Sequence, residues 1–112
     1  MEAKRDLEFN IYTSINNKNK IIANINYNKN KNYSNIKLYD KELVDGILPI
    51  KNNGKDLNWD EIIKFLSSRC FNENDKIMLK NYGLNHYDIF DIIKLSNGKK
   101  LGDNFEIELI KY

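Results

Sequence analysis

The chain has 112 residues, 41% of them hydrophobic, 12% aromatic and 30% charged, with a net charge of +2. That is one domain's length with enough apolar material for a core, so a disordered chain and a two-domain catalytic cleft are both excluded. The near-neutral balance gives no global drive toward phosphate, and no apolar run reaches the roughly 20 residues of a membrane-spanning helix.

Alternation comes first along the chain. Leu7, Phe9 and Ile11 alternate with Glu8, Asn10 and Tyr12, which predicts a strand over 6–14. Lys20 to Tyr27 predicts a second strand, with Ile21, Ala23, Ile25 and Tyr27 on one face and Ile22, Asn24 and Asn26 on the other. Tyr33 to Tyr39 predicts a third, and the short polar connections suit an antiparallel meander. Asp45-Gly46 signals a turn, and Ile47 to Ile50 an extended edge segment, since Pro49 cannot donate to a ladder.

The period then changes. Asn58, with Glu61 three residues on, predicts a capped helix carrying Trp59, Ile62, Ile63, Phe65 and Leu66 and ending near Ser68. Asn72 or Asn74 starts a shorter one with Ile77 and Leu79 inside and Gly83 after its end. Asn85 or His86 precedes a third, with Ile89, Phe90, Ile92 and Ile93 inward and Asn97-Gly98 as its stop. Asn104 to Tyr112 alternates again as a closing strand. The expected fold is a single α+β domain over 1–112: an antiparallel sheet of three to five strands, with three helices inserted before the last strand. The expected core is Leu7, Phe9, Ile11, Ile21, Ile62, Phe65, Leu66, Ile77, Ile89, Ile92, Ile93 and Ile107.

Chemistry is sparse. No phosphate-cradling glycine motif occurs. His86 is the only histidine and Cys70 the only cysteine, so neither a disulfide nor a zinc site follows from spacing. His86 reads as a capping or surface residue. Cys70, between Arg69 and Phe71, reads as a buried structural thiol, although the arginine would favour its thiolate. Asp60, Glu61 and Asp88 fit first helical turns, where acids are stabilised by the backbone dipole. The expectation is a protein that is not an enzyme, has no cofactor and resides in the cytoplasm.

Two surface segments remain as binding candidates. Arg69, Phe71, Tyr82, His86 and Tyr87 place an arginine among aromatics, the composition of protein-interface anchors. Lys18, Lys20, Lys29, Lys31 and Lys37 occur in a stretch with no acid. With Tyr27 and Tyr33 between them they offer the alternative of a nucleic-acid-binding accessory protein. The 19 Asn, 16 Ile and 16 Lys against 2 Arg are what AT-rich codons specify, and they point to an AT-rich bacterium or its phage, with the asparagines drifting on a tolerant surface.

The stretch from Leu48 to Leu109 resembles a group of small Firmicutes proteins encoded beside HipA-like kinases. The resemblance rests on Leu48-Pro49, Trp59, Ser68-Arg69-Cys70-Phe71, Leu79, Gly83-Leu84, Tyr87-Asp88, Asn97-Gly98, and Asp103 before Phe105-Glu106-Ile107. It departs from that group at Asn72, where proline is usual, near Asp75, where a basic residue is usual, and at Phe105, where tryptophan is usual. The resemblance implies no catalytic residues. It implies a small antitoxin-like partner of a larger protein. By type the chain also looks like phage anti-CRISPR proteins, whose partner would be a host defence nuclease.

Overall fold

The computed structural model describes residues 3–15, 18–47, 57–100 and 102–112. Four strands, β1 (Leu7–Ile15), β2 (Lys18–Asn28), β3 (Tyr33–Leu38) and β4 (Phe105–Lys111), form one antiparallel sheet in the order β3-β2-β1-β4. The described helices are α1 (Lys41–Asp45), α2 (Trp59–Ser67), α3 (Lys76–Asn81) and α4 (Ile89–Ser96). The α+β class and the return of the last strand agree with the alternation read above. Helix α1 is an addition: it sits where only a turn was expected. Ile47 closes the turn after α1 rather than opening a strand, and Leu48, Pro49 and Ile50 lie outside the described residues.

The sheet has one apolar and one polar face because its strands alternate. Leu7, Phe9, Ile11, Ala23, Ile25, Tyr27 and Ile107 are buried beneath helices. One irregularity breaks the alternation. The β1–β2 register skips Ile22 between the pairs Ile11–Ala23 and Tyr12–Ile21. This bulge turns Ile22 into the core, fully buried, and leaves Ile21 half-buried on the outer side. The expected burial of Ile21 is thus corrected to its neighbour. The Ile22 carbonyl accepts hydrogen bonds from the Tyr39 and Asp40 backbone N–H groups at 2.8 and 3.2 Å. The bulge therefore anchors the start of α1, where Asp40 caps the helix at the Leu43 N–H and pairs with Lys20 at 3.3 Å.

Helix α2 starts as expected. Asn58 and Glu61 form a reciprocal capping box, and Trp59, Ile62, Phe65 and Leu66 are buried. The Trp59 ring packs 5.2 Å from Tyr27 and the Phe65 ring 6.2 Å from Phe9. Asn32, in the left-handed region at φ 52°, accepts from the Tyr27 hydroxyl at 2.7 Å and from the Trp59 backbone N–H at 3.4 Å, so the β2–β3 turn holds the start of α2. The other two helices are capped by aspartates, not by the expected asparagines or histidine: Asp75 for α3 and Asp88 for α4. Each aspartate is the residue immediately before its helix, and its carboxylate accepts from N–H groups two to three positions on. Ile89, Phe90, Ile92 and Ile93 of α4 are buried as expected.

The ends of α2 and α4 and the start of β4 meet at Arg69. Its side chain is 3% exposed. Nε donates to the Gly98 carbonyl at 2.6 Å, the two terminal nitrogens donate to the Asp103 carboxylate at 3.1 and 2.9 Å, and one also donates to the Phe105 carbonyl at 3.1 Å. Asp103 in turn accepts from the Phe105 N–H at 3.1 Å. Gly98, at φ 63°, has no room for a side chain, because a Cβ there would lie 2.6 Å from Ile107. The Arg69 hydrogen bonds hold the Asp103 carboxyl below its usual range.

A depressed carboxyl stabilises the fold above the unfolded value of about 3.9 and ceases to do so as pH falls through the folded one. Asp103→Asn should therefore cost about 2 kcal/mol near neutral pH, less than a fully buried pair because Asp103 is partly exposed. It should also flatten the fall in stability below about pH 4. Urea unfolding across a pH series checks both, and a variant with unchanged midpoint would show the pair to be dispensable.

Candidate partner-binding surface

The chain leaves α2 through Ser68 to Phe71 and crosses to α3 on an Asx turn, in which Asn72 Oδ1 accepts from the Asn74 N–H at 2.8 Å. Helix α3 ends in a Schellman motif: the Leu84 N–H reaches the Leu79 carbonyl at 3.1 Å, the Gly83 N–H reaches the Lys80 carbonyl at 2.9 Å, and Gly83 takes φ 71°. The Tyr87 hydroxyl closes the excursion by donating to the Phe71 carbonyl at 2.6 Å. Phe71 then receives two rings edge-on, Tyr82 at 5.3 Å and Tyr87 at 5.6 Å, a favourable aromatic geometry.

Three of the residues expected at an interface thus come together: Phe71, Tyr82 and Tyr87 are half-buried in one cluster. His86 is exposed beside them and caps no helix. Arg69 needs correction: its fork, expected to meet a partner's carboxylate, is occupied by Asp103 beneath the surface. The five lysines do not converge. Lys18 and Lys20 begin β2, while Lys29 and Lys31 sit in the turn beyond its end. At the usual strand rise, Lys20 and Lys29 are separated by about 30 Å. Lys37 lies across the sheet on β3 opposite Asn24, Lys20 is paired with Asp40, and Lys31 lies over the Tyr33 ring at 5.8 Å.

The asparagines of the open sheet face are less idle than drift implies. Asn24 Nδ2 donates to Glu8 at 2.9 Å and to Asn10 Oδ1 at 2.8 Å. Asn10 Nδ2 donates to Glu108 at 3.1 Å, and the Tyr12 hydroxyl donates to the same carboxylate at 3.1 Å. These bonds tie β2, β1 and β4 together on the face away from the helices.

The surface feature missed in the sequence is α3 itself. Ile77, expected in the core, is 74% exposed, and none of the helix's six residues is buried. The helix is held by its caps and by half-buried Met78, Leu79 and Tyr82 rather than by a core stripe. The sequence signal beside it was the polar run Asn72-Glu73-Asn74-Asp75 that precedes it. Beside α3 lies an open groove of about 810 Å³, lined by Met78, Tyr82 and Phe105 and also by Lys99 and Lys100.

Cys70 lies between the last turn of α2 and the start of α4. Its thiol donates to the Leu66 carbonyl at 3.4 Å, and burial pushes it up to about 12, overriding the opposing charge of Arg69. A thiol that ionises at about 8.5 when unfolded but near 12 when folded retains a proton that unfolding releases. Stability therefore falls as pH rises between those values. Cys70→Ala should lose the part of the alkaline decline that begins near pH 9 and keep the part from tyrosines that begins near about pH 10. Thermal unfolding between these pH values checks this, and an unchanged profile in the variant would remove Cys70 as the source.

No family model matches the chain, and neither does any curated protein or solved structure.

Proposed function

We propose that this chain is a small non-catalytic cytoplasmic protein that binds a larger protein partner and modulates it, as an inhibitor. The observation that supports this reading is α3. A helix that leaves Ile77 exposed and Met78 and Leu79 only half-buried holds apolar area in reserve. Burying one such side chain contributes about 1.5–3 kcal/mol. The adjoining Tyr82 and Tyr87 add area with few rotors to freeze, and both are already positioned by Phe71. The resemblance to proteins encoded beside HipA-like kinases suggests such a kinase as partner; the likeness in type to anti-CRISPR proteins suggests a defence nuclease. Among the described residues no helix is long and apolar enough to cross a membrane.

The test is calorimetric titration of the full chain into a HipA-like kinase encoded beside its gene, or into a host defence nuclease where prophage genes flank it, with partner activity followed in parallel. Ile77→Asp should weaken binding by about 1–3 kcal/mol. It should leave the fold intact, because an acid in the first turn of α3 suits the helix dipole. Lys29→Ala should change binding by less than about 0.5 kcal/mol. If Lys29→Ala is the damaging change, and the chain binds nucleic acid with a steep dependence on salt, the basic strands are the functional surface instead.

A further inference from the structure

The groove beside α3 specifies the chemistry of what enters it. Its walls, Met78, Tyr82 and Phe105, are each half-buried and apolar. Among the charged side chains that line it are two acids, and both are engaged within the chain: Asp103 by Arg69 at 2.9 Å and Glu106 by Lys99 at 3.3 Å. Lys100 is exposed and, among the described residues, forms no ion pair; its charge reaches Asp103, but that carboxylate is already held by the Arg69 fork. The groove therefore offers an ammonium with no carboxylate bound to it, next to an apolar slot. Ser14, Asn19 and Asn104 also line it and supply hydroxyl and amide groups, which suit the backbone of an extended chain. A basic segment would meet Lys100 and a blocked pair of acids, and a purely apolar one would leave the ammonium unused.

Resting on the partner-binding reading above, we propose that this groove receives an extended acidic segment of the partner. An apolar side chain of that segment lies between Met78, Tyr82 and Phe105, and an Asp or Glu beside it pairs with Lys100. Lys100 is the residue that sets the preference for acid, and the aromatic and thioether walls set the preference for an apolar neighbour. The contact is separate from the surface at Ile77, which does not line the groove.

The experiment is selection of random dodecapeptides displayed on phage against the immobilised full chain, followed by fluorescence anisotropy of the enriched peptides. The expected consensus places Asp or Glu next to Leu, Ile, Met or Phe. Lys100→Glu should weaken those peptides by about fivefold or more and shift selection toward basic peptides, because a charge reversal at the groove inverts its complement. Raising the salt should weaken binding to the wild-type chain. Circular dichroism should show Lys100→Glu folded, as the Lys100 side chain is exposed. Enriched peptides without an acid, or acidic peptides bound equally by Lys100→Glu, would overturn the proposal. So would a selection that enriches nothing. If peptides bind but depend on Ile77 and not on Lys100, the groove is excluded while the partner-binding reading stands. If neither peptides nor the full-length partner bind through α3 or the groove, both fall.

Discussion

The structure depends on one buried cation. Arg69 leaves α2 and reaches the α4–β4 connection at Gly98, the carboxylate at Asp103 and the first carbonyl of β4. No apolar residue could make these links, since each one satisfies a backbone or carboxylate group that would otherwise lose its partner. The arginine fixes where the helical half of the chain ends and where the last strand begins. Its position explains the tight approach of Gly98 to Ile107, because the two segments are drawn onto each other at that point.

This clip changes the meaning of the most function-like feature in the sequence. An arginine beside aromatics has the composition of an interface anchor, and linear spacing says nothing about an aspartate 34 positions away. Once Asp103 is seen to fill the fork, the aromatic neighbours stand alone. The surface that remains is α3, whose aliphatic spacing reads as inward-facing in the sequence. The residues on which a resemblance to proteins encoded beside HipA-like kinases was expected, Trp59, Arg69, Gly98 and Asp103 among them, lie in the core or in this clip. They speak to how such a chain folds more than to what it binds.

The fold was legible where periodicity and caps agree. The alternation of Leu7, Phe9 and Ile11, the capping box at Asn58 and the stop at Asn97-Gly98 are local signals, and each has its expected outcome. The misses were of a different kind. Ile21 and Ile22 are adjacent isoleucines, and only the bulge opposite Ile11 decides which of them is buried. Ile77 satisfies a helical stripe, but α3 is a short helix on the rim, where a stripe has nothing to face. Asp75 and Asp88 outcompeted nearby asparagines as caps because they are the residues next to the helix starts. The site was less legible than the fold, since exposure is a property of tertiary placement.

The position of β1 in the sheet has a consequence for the order in which the chain acquires structure. β1 is a central strand, and its two neighbours are of opposite kinds: β2 follows it directly, whereas β4 reaches it across a separation of 98 residues at Asn10 and Glu108. A ribosome adds about 5–20 residues each second. The meander of β1 to β3 can therefore pair some seconds before β4 exists, and through that interval the second edge of β1 stands open. Non-local pairing of this sort is slow because loop closure precedes its reward. Until β4 is made, the second edge of β1 has no partner strand within the sheet, and a strand from a chaperone or a neighbouring nascent chain would find its backbone groups unpaired there.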